Sequence, residues 1–220
     1  MDDGGHGFED AHARDGGPVP RLAPAPTAPL GLLARLVAKA AARVTGGEQP
    51  RVFTTLARHR RLFRWWLPFA GSLLLRSELP RADAELVVLR TACNCRSRYE
   101  WAQHAALARR AGVPPAAIDA VPDWRDRGSW TRRQRVLLAA ADELHERRTI
   151  TDPTWAGLAA ELREPELIEL CMLVGHYEML AMTLNSLGVE AEPGALAALD
   201  PGAARTAERL AEALGRSQCR

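Results

Sequence analysis

The sequence predicts an all-α protein, and three observations support that prediction. Apolar residues recur at helical spacing in most segments between positions 30 and 214. Many of these segments begin with a helix-start signal, such as a proline or a capping serine or threonine, and several end at a glycine. No segment alternates apolar and polar residues as a half-buried β-strand does. We therefore expect helices only, packed in a single domain.

The composition is sufficient for one hydrophobic core. The chain has 220 residues, of which 47% are hydrophobic. Residues 1–28 are rich in Gly, Asp, Pro and His and have no apolar period, so a disordered tail is predicted there. The helical domain is predicted over residues 29–215. Its first element is an amphipathic helix over 30–44, closed by glycines at 46 and 47.

An aromatic-rich segment follows at residues 52–69. It predicts a pair of short helices that lead into the leucines at 73–75. Trp65 and Trp66 are adjacent, so they cannot both point into the same core. Core packing is the favoured interpretation of these aromatic residues. The alternative is that they form the wall of a substrate cavity or a contact between subunits.

The centre of the fold is predicted in the next two helices. Residues 84–91 are nearly all apolar after a start signal at 79–83, as expected of a central helix. Ser97 and Glu100 fit a capping box, in which the serine hydroxyl accepts from a backbone N–H and the glutamate reaches back. A second helix is therefore expected over 97–111. The same signals predict further helices from Pro114, Thr131, Asp152 and Pro165, and over residues 203–214.

The charge balance argues against nucleic acid or a membrane as a partner. The 29 Lys and Arg and the 27 Asp and Glu are interspersed and leave a formal net charge of only +2. The start of the chain lacks a signal-peptide pattern, and no uncharged apolar run reaches about 18 residues. The cysteines do not have the spacing of a disulfide framework. These features predict a soluble, cytoplasmic protein.

Glu100 and His104 are the first candidates for chemistry. They are four residues apart, so on one helix their side chains lie on the same face. With ordinary pKa values of about 4.3 and about 6.5, a glutamate and a histidine in contact can relay a proton near neutral pH. The alternative is structural: Glu100 would complete the capping box and His104 would be a half-buried helix residue.

The order Glu85, Ser97, Glu100 and His104 resembles the site of the carboxymuconolactone decarboxylase and alkyl hydroperoxidase D-like superfamily. Further similar stretches are the apolar run at 86–92, the pair Tyr99 and Trp101, and segments at 141–145, 151–155 and 175–177. The resemblance implies an all-α, alkyl hydroperoxidase D-like fold over roughly residues 30–190. It also implies a homo-oligomer, a small-molecule substrate and catalytic roles for Glu85, Glu100 and His104.

The resemblance favours the decarboxylase-like branch of that superfamily. The hydroperoxidase branch carries a Cys-x-x-Cys pair at the positions of Ser97 and Glu100. A serine forms no thiolate and a carboxylate resolves no disulfide, so the usual peroxide-reducing cycle is not expected. Cys93 and Cys95 lie just upstream and leave open, as an alternative, a thiol-dependent hydroperoxide reductase. A third interpretation is a non-catalytic helical scaffold that binds small molecules.

The predicted function is cofactor-independent proton transfer or decarboxylation on a small carboxylated or carbonyl compound. His104, held by Glu100 or Glu85, would donate or accept the proton. The residues expected to line the cavity or support the site are Ser97, Tyr99, Trp101, Arg90 and His176. Arg90 is further considered as an anchor for a substrate carboxylate, with a surface ion pair as the structural alternative.

No cofactor and no metal are predicted. The sequence has no glycine-rich phosphate loop and no nucleophile elbow. His145 and His176 are predicted on different helices, with Asp142 and Glu178 near them, but no second pair of ligands completes a metal-binding set. A core or surface position is the favoured interpretation of each histidine.

Overall fold

Ten α-helices make up most of the part of the chain that the computed structural model describes, residues 21–22 and 50–218, with side chains described as far as 215. They are α1 (Arg51–Leu56), α2 (Arg60–Leu75), α3 (Arg81–Asn94), α4 (Arg98–Arg110), α5 (Pro115–Ala120), α6 (Arg132–Arg147), α7 (Asp152–Ala159), α8 (Glu164–Leu187), α9 (Pro193–Ala197) and α10 (Pro201–Gln218). A single 3₁₀ turn, Val121–Asp123, follows α5. These residues contain no β-strand, so the all-α prediction is confirmed.

Helix α3 lies at the centre and packs against α4, α6 and α8. Residues 83–89, 91 and 92 are all buried, so the helix is surrounded on every side by other elements. Leu86 and Leu89 pack towards α4 and α10, whereas Val87 and Val88 pack towards α6 and α8. The predicted central helix is therefore present, and it holds Glu85 deep in the protein.

The helix ends follow the predicted signals with one exception. Thr131 and Gln134 form a complete capping box at the start of α6, and Gly188 ends α8 with a φ of +66°. At the start of α4, the Ser97 hydroxyl accepts a hydrogen bond from the Glu100 backbone N–H at 3.4 Å. The Glu100 carboxylate makes no return bond to Ser97, so the capping-box interpretation of Glu100 is wrong.

The aromatic-rich segment forms α1 and α2, and α2 is longer than predicted. It continues through Pro68 to Leu75, so the leucines at 73–75 belong to the same helix. Trp65 is 67% exposed, and Trp66 turns inwards. The two tryptophans thus lie on different faces, as their adjacency requires.

The apolar helix α8 has two distinct sides. By length and composition it could cross a bilayer, but half of its most apolar stretch is buried inside the protein, as in the core helix of a soluble protein. The exposed side carries an apolar stripe at Ile168, Met172, Met179 and Met182.

Two predictions for the N-terminal region lie outside the described residues: the helix over 30–44 and almost all of the tail over 1–28. Arg21 and Leu22 are described, and their backbone N–H groups donate to the Leu187 carbonyl at 3.0 and 3.4 Å. The domain boundary at 28 and 29 stays a prediction.

Candidate functional site

A cavity of about 430 Å³ lies between α1, α2, α4 and α8. Much of its wall is apolar, from Phe53, Trp66, Leu67, Leu74, Leu107 and Leu180. The residues with polar side chains that line it are Arg81, Tyr99, Glu100, Gln103, His104, His176 and Tyr177. A largely apolar wall with a few convergent polar groups is typical of a small-molecule site.

His104 is held by Glu85, which lies on the neighbouring helix α3. The ring Nδ1 of His104 is 2.7 Å from Glu85 Oε2, and both side chains are buried. The other Glu85 oxygen is paired with the Arg81 guanidinium one helical turn earlier. This arrangement fixes the orientation of the imidazole and leaves Nε2, which contacts no polar atom of a described residue, as the nitrogen available to the cavity.

The environment of Glu100 differs from that of Glu85, which is paired with both His104 and Arg81. The carboxyl group of Glu100 is 2% exposed, and neither oxygen has a hydrogen-bond partner among residues 50–215. Burial raises the pKa of Glu100 well above its usual range, and the nearby Ser97 hydroxyl offsets only part of that effect. Burial therefore favours the protonated form of Glu100. The site places this isolated carboxyl group near the ion-paired Glu85, and two carboxyl groups in such different environments are an arrangement that enzymes use to separate base from acid.

A group of rings supports His104 from α8. The Tyr177 ring meets the His104 ring edge-on at 4.9 Å, and His176 meets Tyr177 in the same way at 5.1 Å. His176 also stacks on Trp66 at 6.0 Å. Burial and the nearby His104 lower the pKa of His176 to about 4, so His176 is neutral at neutral pH. Its Nδ1 atom is buried and has no partner within the described part of the chain.

Tyr99 closes one side of the cavity through a buried polar network. Its hydroxyl accepts from the Val52 backbone N–H at 3.1 Å and donates to Glu192 Oε1 at 3.2 Å. The Gln103 side chain donates to the other Glu192 oxygen. Burial, with the negative charge of Glu192, raises the pKa of Tyr99 well above its usual range. The hydroxyl is occupied in joining α1 to α4, so Tyr99 holds the cavity wall in place.

Three predicted site residues do not reach the cavity. Trp101 is fully buried in the core, where its Nε1–H donates to the Ala203 carbonyl at 2.9 Å. Ser97 is also fully buried and caps α4. Arg90 pairs with Asp142 at 2.5 Å and donates to the Pro122 carbonyl at 2.7 Å. The expectation that Arg90 anchors a substrate carboxylate is therefore corrected, because its guanidinium is turned away from the cavity.

Cys93 and Cys95 lie apart from the cavity, at the C-terminal end of α3. Burial raises the pKa of each thiol to about 12. For Cys95, the negative charges of Glu178 and Glu100 act in the same direction. Both thiols are therefore protonated at neutral pH, and a protonated thiol is a poor nucleophile towards peroxide.

Two polar residues of the cavity, Arg81 and Gln103, were not predicted from the sequence. Arg81 precedes Glu85 by four positions, and that spacing on a predicted helix would have indicated the ion pair. Gln103 is recognisable only through its partner Glu192, which lies 89 residues away in the sequence.

The fold and the cavity define an all-α protein with a buried glutamate–histidine site. The sequence pattern of the carboxymuconolactone decarboxylase family matches residues 60–143. Together with the fold relationships described next, this match supports a relationship to the carboxymuconolactone decarboxylase and alkyl hydroperoxidase D-like superfamily. No curated protein sequence matches the chain.

Several solved structures share this fold at low sequence identity. An uncharacterized peroxidase-related protein from Ralstonia eutropha JMP134, with an alkylhydroperoxidase AhpD core, has a TM-score of 0.73 and 19% identity, covering 81% of this chain and 95% of its own. An uncharacterized peroxidase-related protein from Silicibacter sp. TM1040 has a TM-score of 0.70 and 16% identity, and the match covers 82% of this chain and 96% of that protein's chain. The debrominase Bmp8, in complex with 2,3,4-tribromopyrrole, has a TM-score of 0.66 and 12% identity, and the match covers 81% of this chain and 91% of that protein's chain.

Proposed function

We propose that the protein is a cofactor-independent acid–base enzyme that acts on a small carbonyl or carboxylated compound, with decarboxylation as the favoured reaction. The observation that carries the proposal is the buried contact between His104 Nδ1 and Glu85 Oε2 at 2.7 Å. This contact leaves Nε2 of His104 available to a cavity that Glu100 also lines, and burial raises the pKa of Glu100. Proton transfer by positioned side chains of this kind contributes about 10²- to 10⁴-fold to a rate.

The two groups have complementary roles in this mechanism. When a carboxylate on the carbon next to a carbonyl group, as in a β-keto acid, leaves as CO₂, the electron pair of the broken C–C bond moves into an enolate. Glu100 donates a hydrogen bond to the oxygen that gains negative charge, in a site with little competing water. His104, in its protonated form, then delivers a proton from Nε2 to the carbon. In a simple enolisation, His104 removes the carbon-bound proton instead.

The cavity favours a compact substrate with an apolar body. A volume of about 430 Å³ lies in the usual range for small-ligand sites, roughly 300–1,000 Å³. Arg81 supplies the positive charge at its wall, but the guanidinium is already paired with Glu85 and donates to the Leu74 carbonyl. Substrate recognition therefore depends mainly on shape and on hydrogen bonds to Glu100 and His104.

Two alternative functions have less support. A thiol-dependent hydroperoxide reductase would require Cys93 or Cys95, and both are protonated and lie away from the cavity. Peroxide consumption that disappears in a Cys93→Ser, Cys95→Ser double variant would favour it. A non-catalytic scaffold would leave no reason for a buried carboxyl group without partners at the wall of a cavity, which is the position of Glu100.

We also infer a homo-oligomer in the cytoplasm. The apolar stripe of Ile168, Met172, Met179 and Met182 on α8, and Trp65 on α2, are the surfaces we expect to contact a second copy. Analytical ultracentrifugation of the wild type and of a Met179→Lys, Met182→Lys variant tests this. A monomeric wild type would rule out the oligomer.

The test of the proposed reaction compares the wild type with His104→Ala. Both proteins are incubated in deuterium oxide with candidate lactone acids and β-keto acids, and deuterium incorporation and CO₂ release are measured. His104→Ala should reduce the rate about 10²- to 10⁴-fold. The matched control is His59→Asn, an exposed histidine at the N-cap of α2 where asparagine keeps the cap. Equal rates for wild type and His104→Ala would remove His104 from the mechanism.

A further inference from the structure

Three potential metal ligands meet at a second place in the fold. Cys95 follows the last residue of α3, His145 lies near the end of α6, and Glu178 lies in the middle of α8. The ligand atoms of these three side chains all lie within 4.8 Å of one another. Cys95 Sγ is 3.9 Å from His145 Nδ1, which is 2.7 Å from Glu178 Oε1. None of the three lines the cavity described above.

The spacing is close to that of a tetrahedral zinc site. Zinc bonds of about 2.3 Å to sulfur and about 2.0–2.2 Å to nitrogen and oxygen place a sulfur and a nitrogen ligand about 3.6 Å apart, and a nitrogen and an oxygen about 3.3 Å apart. The observed distance of 3.9 Å between Cys95 Sγ and His145 Nδ1 is within a few tenths of an ångström of the sulfur–nitrogen value. The Glu178 oxygen is nearer to the ring because it now accepts a hydrogen bond from it, and the ion would replace that bond.

The groups around the cluster hold the ligands in place. Arg148 pairs with the other oxygen of Glu178 at 2.6 Å. The Asn185 side chain donates to the Cys95 carbonyl at 2.9 Å and so fixes the turn that carries the thiol. Such supporting contacts orient ligands in metal sites. The His145 side chain is 32% exposed, so an ion can enter from solvent.

We propose that Cys95, His145 and Glu178 bind a zinc-like divalent cation, with water as the fourth ligand. On binding, the Cys95 thiol releases its proton to solvent, the imidazole binds in its neutral form, and Glu178 binds as a carboxylate. The thiolate and the carboxylate then neutralise the two positive charges of the ion. A thiolate, imidazole and carboxylate set suits Zn²⁺ better than Mg²⁺ or Ca²⁺.

This assignment goes beyond the expectation of no metal. That expectation considered His145 and His176, with Asp142 and Glu178 near them, and found no second pair of ligands. Cys95 lies 50 residues before His145 in the sequence and was considered only as a redox thiol. The ion would link the C-terminal ends of α3 and α6 to the middle of α8. It is independent of the proposed reaction, since no group of the cavity is a ligand.

Cobalt(II) is the probe for this site. Reduced full-length protein is titrated with Co²⁺ and followed by absorption, then challenged with Zn²⁺. One equivalent of Co²⁺ should give thiolate-to-cobalt charge transfer in the near ultraviolet and the intense visible bands of tetrahedral cobalt, and Zn²⁺ should abolish both. Cys95→Ser should remove the charge-transfer band, whereas Cys93→Ala, which changes the neighbouring thiol, should keep it.

A second variant covers the case in which Cys95→Ser does not fold. Glu178→Gln keeps the shape of the side chain and should weaken Zn²⁺ binding at least about 10-fold, in line with the losses seen at metal sites. Zinc should also raise the melting temperature of the wild type more than that of Glu178→Gln, because a ligand stabilises only the state that binds it. No charge-transfer band in the wild type, or an unchanged band in Cys95→Ser, would mean that the cluster is only an ion-pair network.

Discussion

His104 Nδ1 lies 2.7 Å from a carboxylate oxygen of Glu85, a residue 19 positions earlier and on a different helix. Glu100, which shares the helix of His104 and is only four residues away, makes no hydrogen bond to it. The two glutamates thus have different roles. Glu85 orients the imidazole, whereas burial raises the pKa of Glu100 and favours its protonated form at the cavity wall.

Glu85→Gln tests the orienting role. The amide keeps the size of the side chain but removes the charge that pairs with Arg81 and His104. The free energy of unfolding should fall by about 1–3 kcal/mol, because the buried His104 and the half-buried Arg81 lose a charged acceptor. Chemical denaturation measures this. The control is Glu146→Gln on the exposed side of α6, which should change stability by less than about 0.5 kcal/mol. Equal effects of the two changes would contradict the orienting role.

Glu100→Gln should alter the pH dependence of stability in a defined direction. The folded protein holds the Glu100 proton to a higher pH than the unfolded chain, because burial raises the folded-state pKa. Stability therefore falls as pH rises from about 4.3, the unfolded value, towards the folded-state pKa. The variant lacks this loss, so it should gain stability relative to the wild type across that range. Urea unfolding at a series of pH values measures the difference, and parallel curves would show that Glu100 has an ordinary pKa.

His176 should make stability depend on pH in the opposite direction to Glu100. Its pKa is lowered from 6.5 to about 4 in the folded protein, so between these values the unfolded chain binds the proton more tightly. The wild type should therefore lose stability as pH falls from 6.5 to about 4. His176→Phe, which keeps a ring against Trp66, should remove this loss. His59→Asn should retain the wild-type pH dependence, because His59 is exposed. Loss of the dependence in both variants would assign it elsewhere.

Asp142→Asn tests the structural assignment of Arg90. Burial would raise the pKa of Asp142, but hydrogen bonding and charge from Arg90 lower it, so the pair is ionised. Removing one charge from this buried pair should cost about 3 kcal/mol of unfolding free energy. Arg132→Ala, at an exposed pair with Glu161, should cost less than about 1 kcal/mol.

Asp142→Asn also distinguishes an effect on stability from an effect on the rate of the proposed reaction. Asp142 and Arg90 do not line the cavity, so folded Asp142→Asn should keep the wild-type rate of the proposed reaction. A much lower rate at unchanged stability would return Arg90 to the list of substrate-binding residues.

The sequence alone predicted the fold class, most helix starts and stops, and three residues that the structure brings to the candidate site. Helical periodicity, the Ser97 and Thr131 caps and the glycine at 188 are local signals, and helix formation depends on local signals. The spacing of Glu85, Glu100 and His104 was likewise readable without a structure.

Only the tertiary structure decided which of these residues touch. The sequence left Glu100, four residues away on the same helix, and Glu85 both open as the partner of His104, and packing of α3 against α4 brought Glu85 to it. Packing of α3 against α6 turned Arg90 towards Asp142 and brought Cys95 to His145. A helical pattern shows which face of a helix is buried. It does not show which other helix covers that face, and contacts between distant residues depend on that choice.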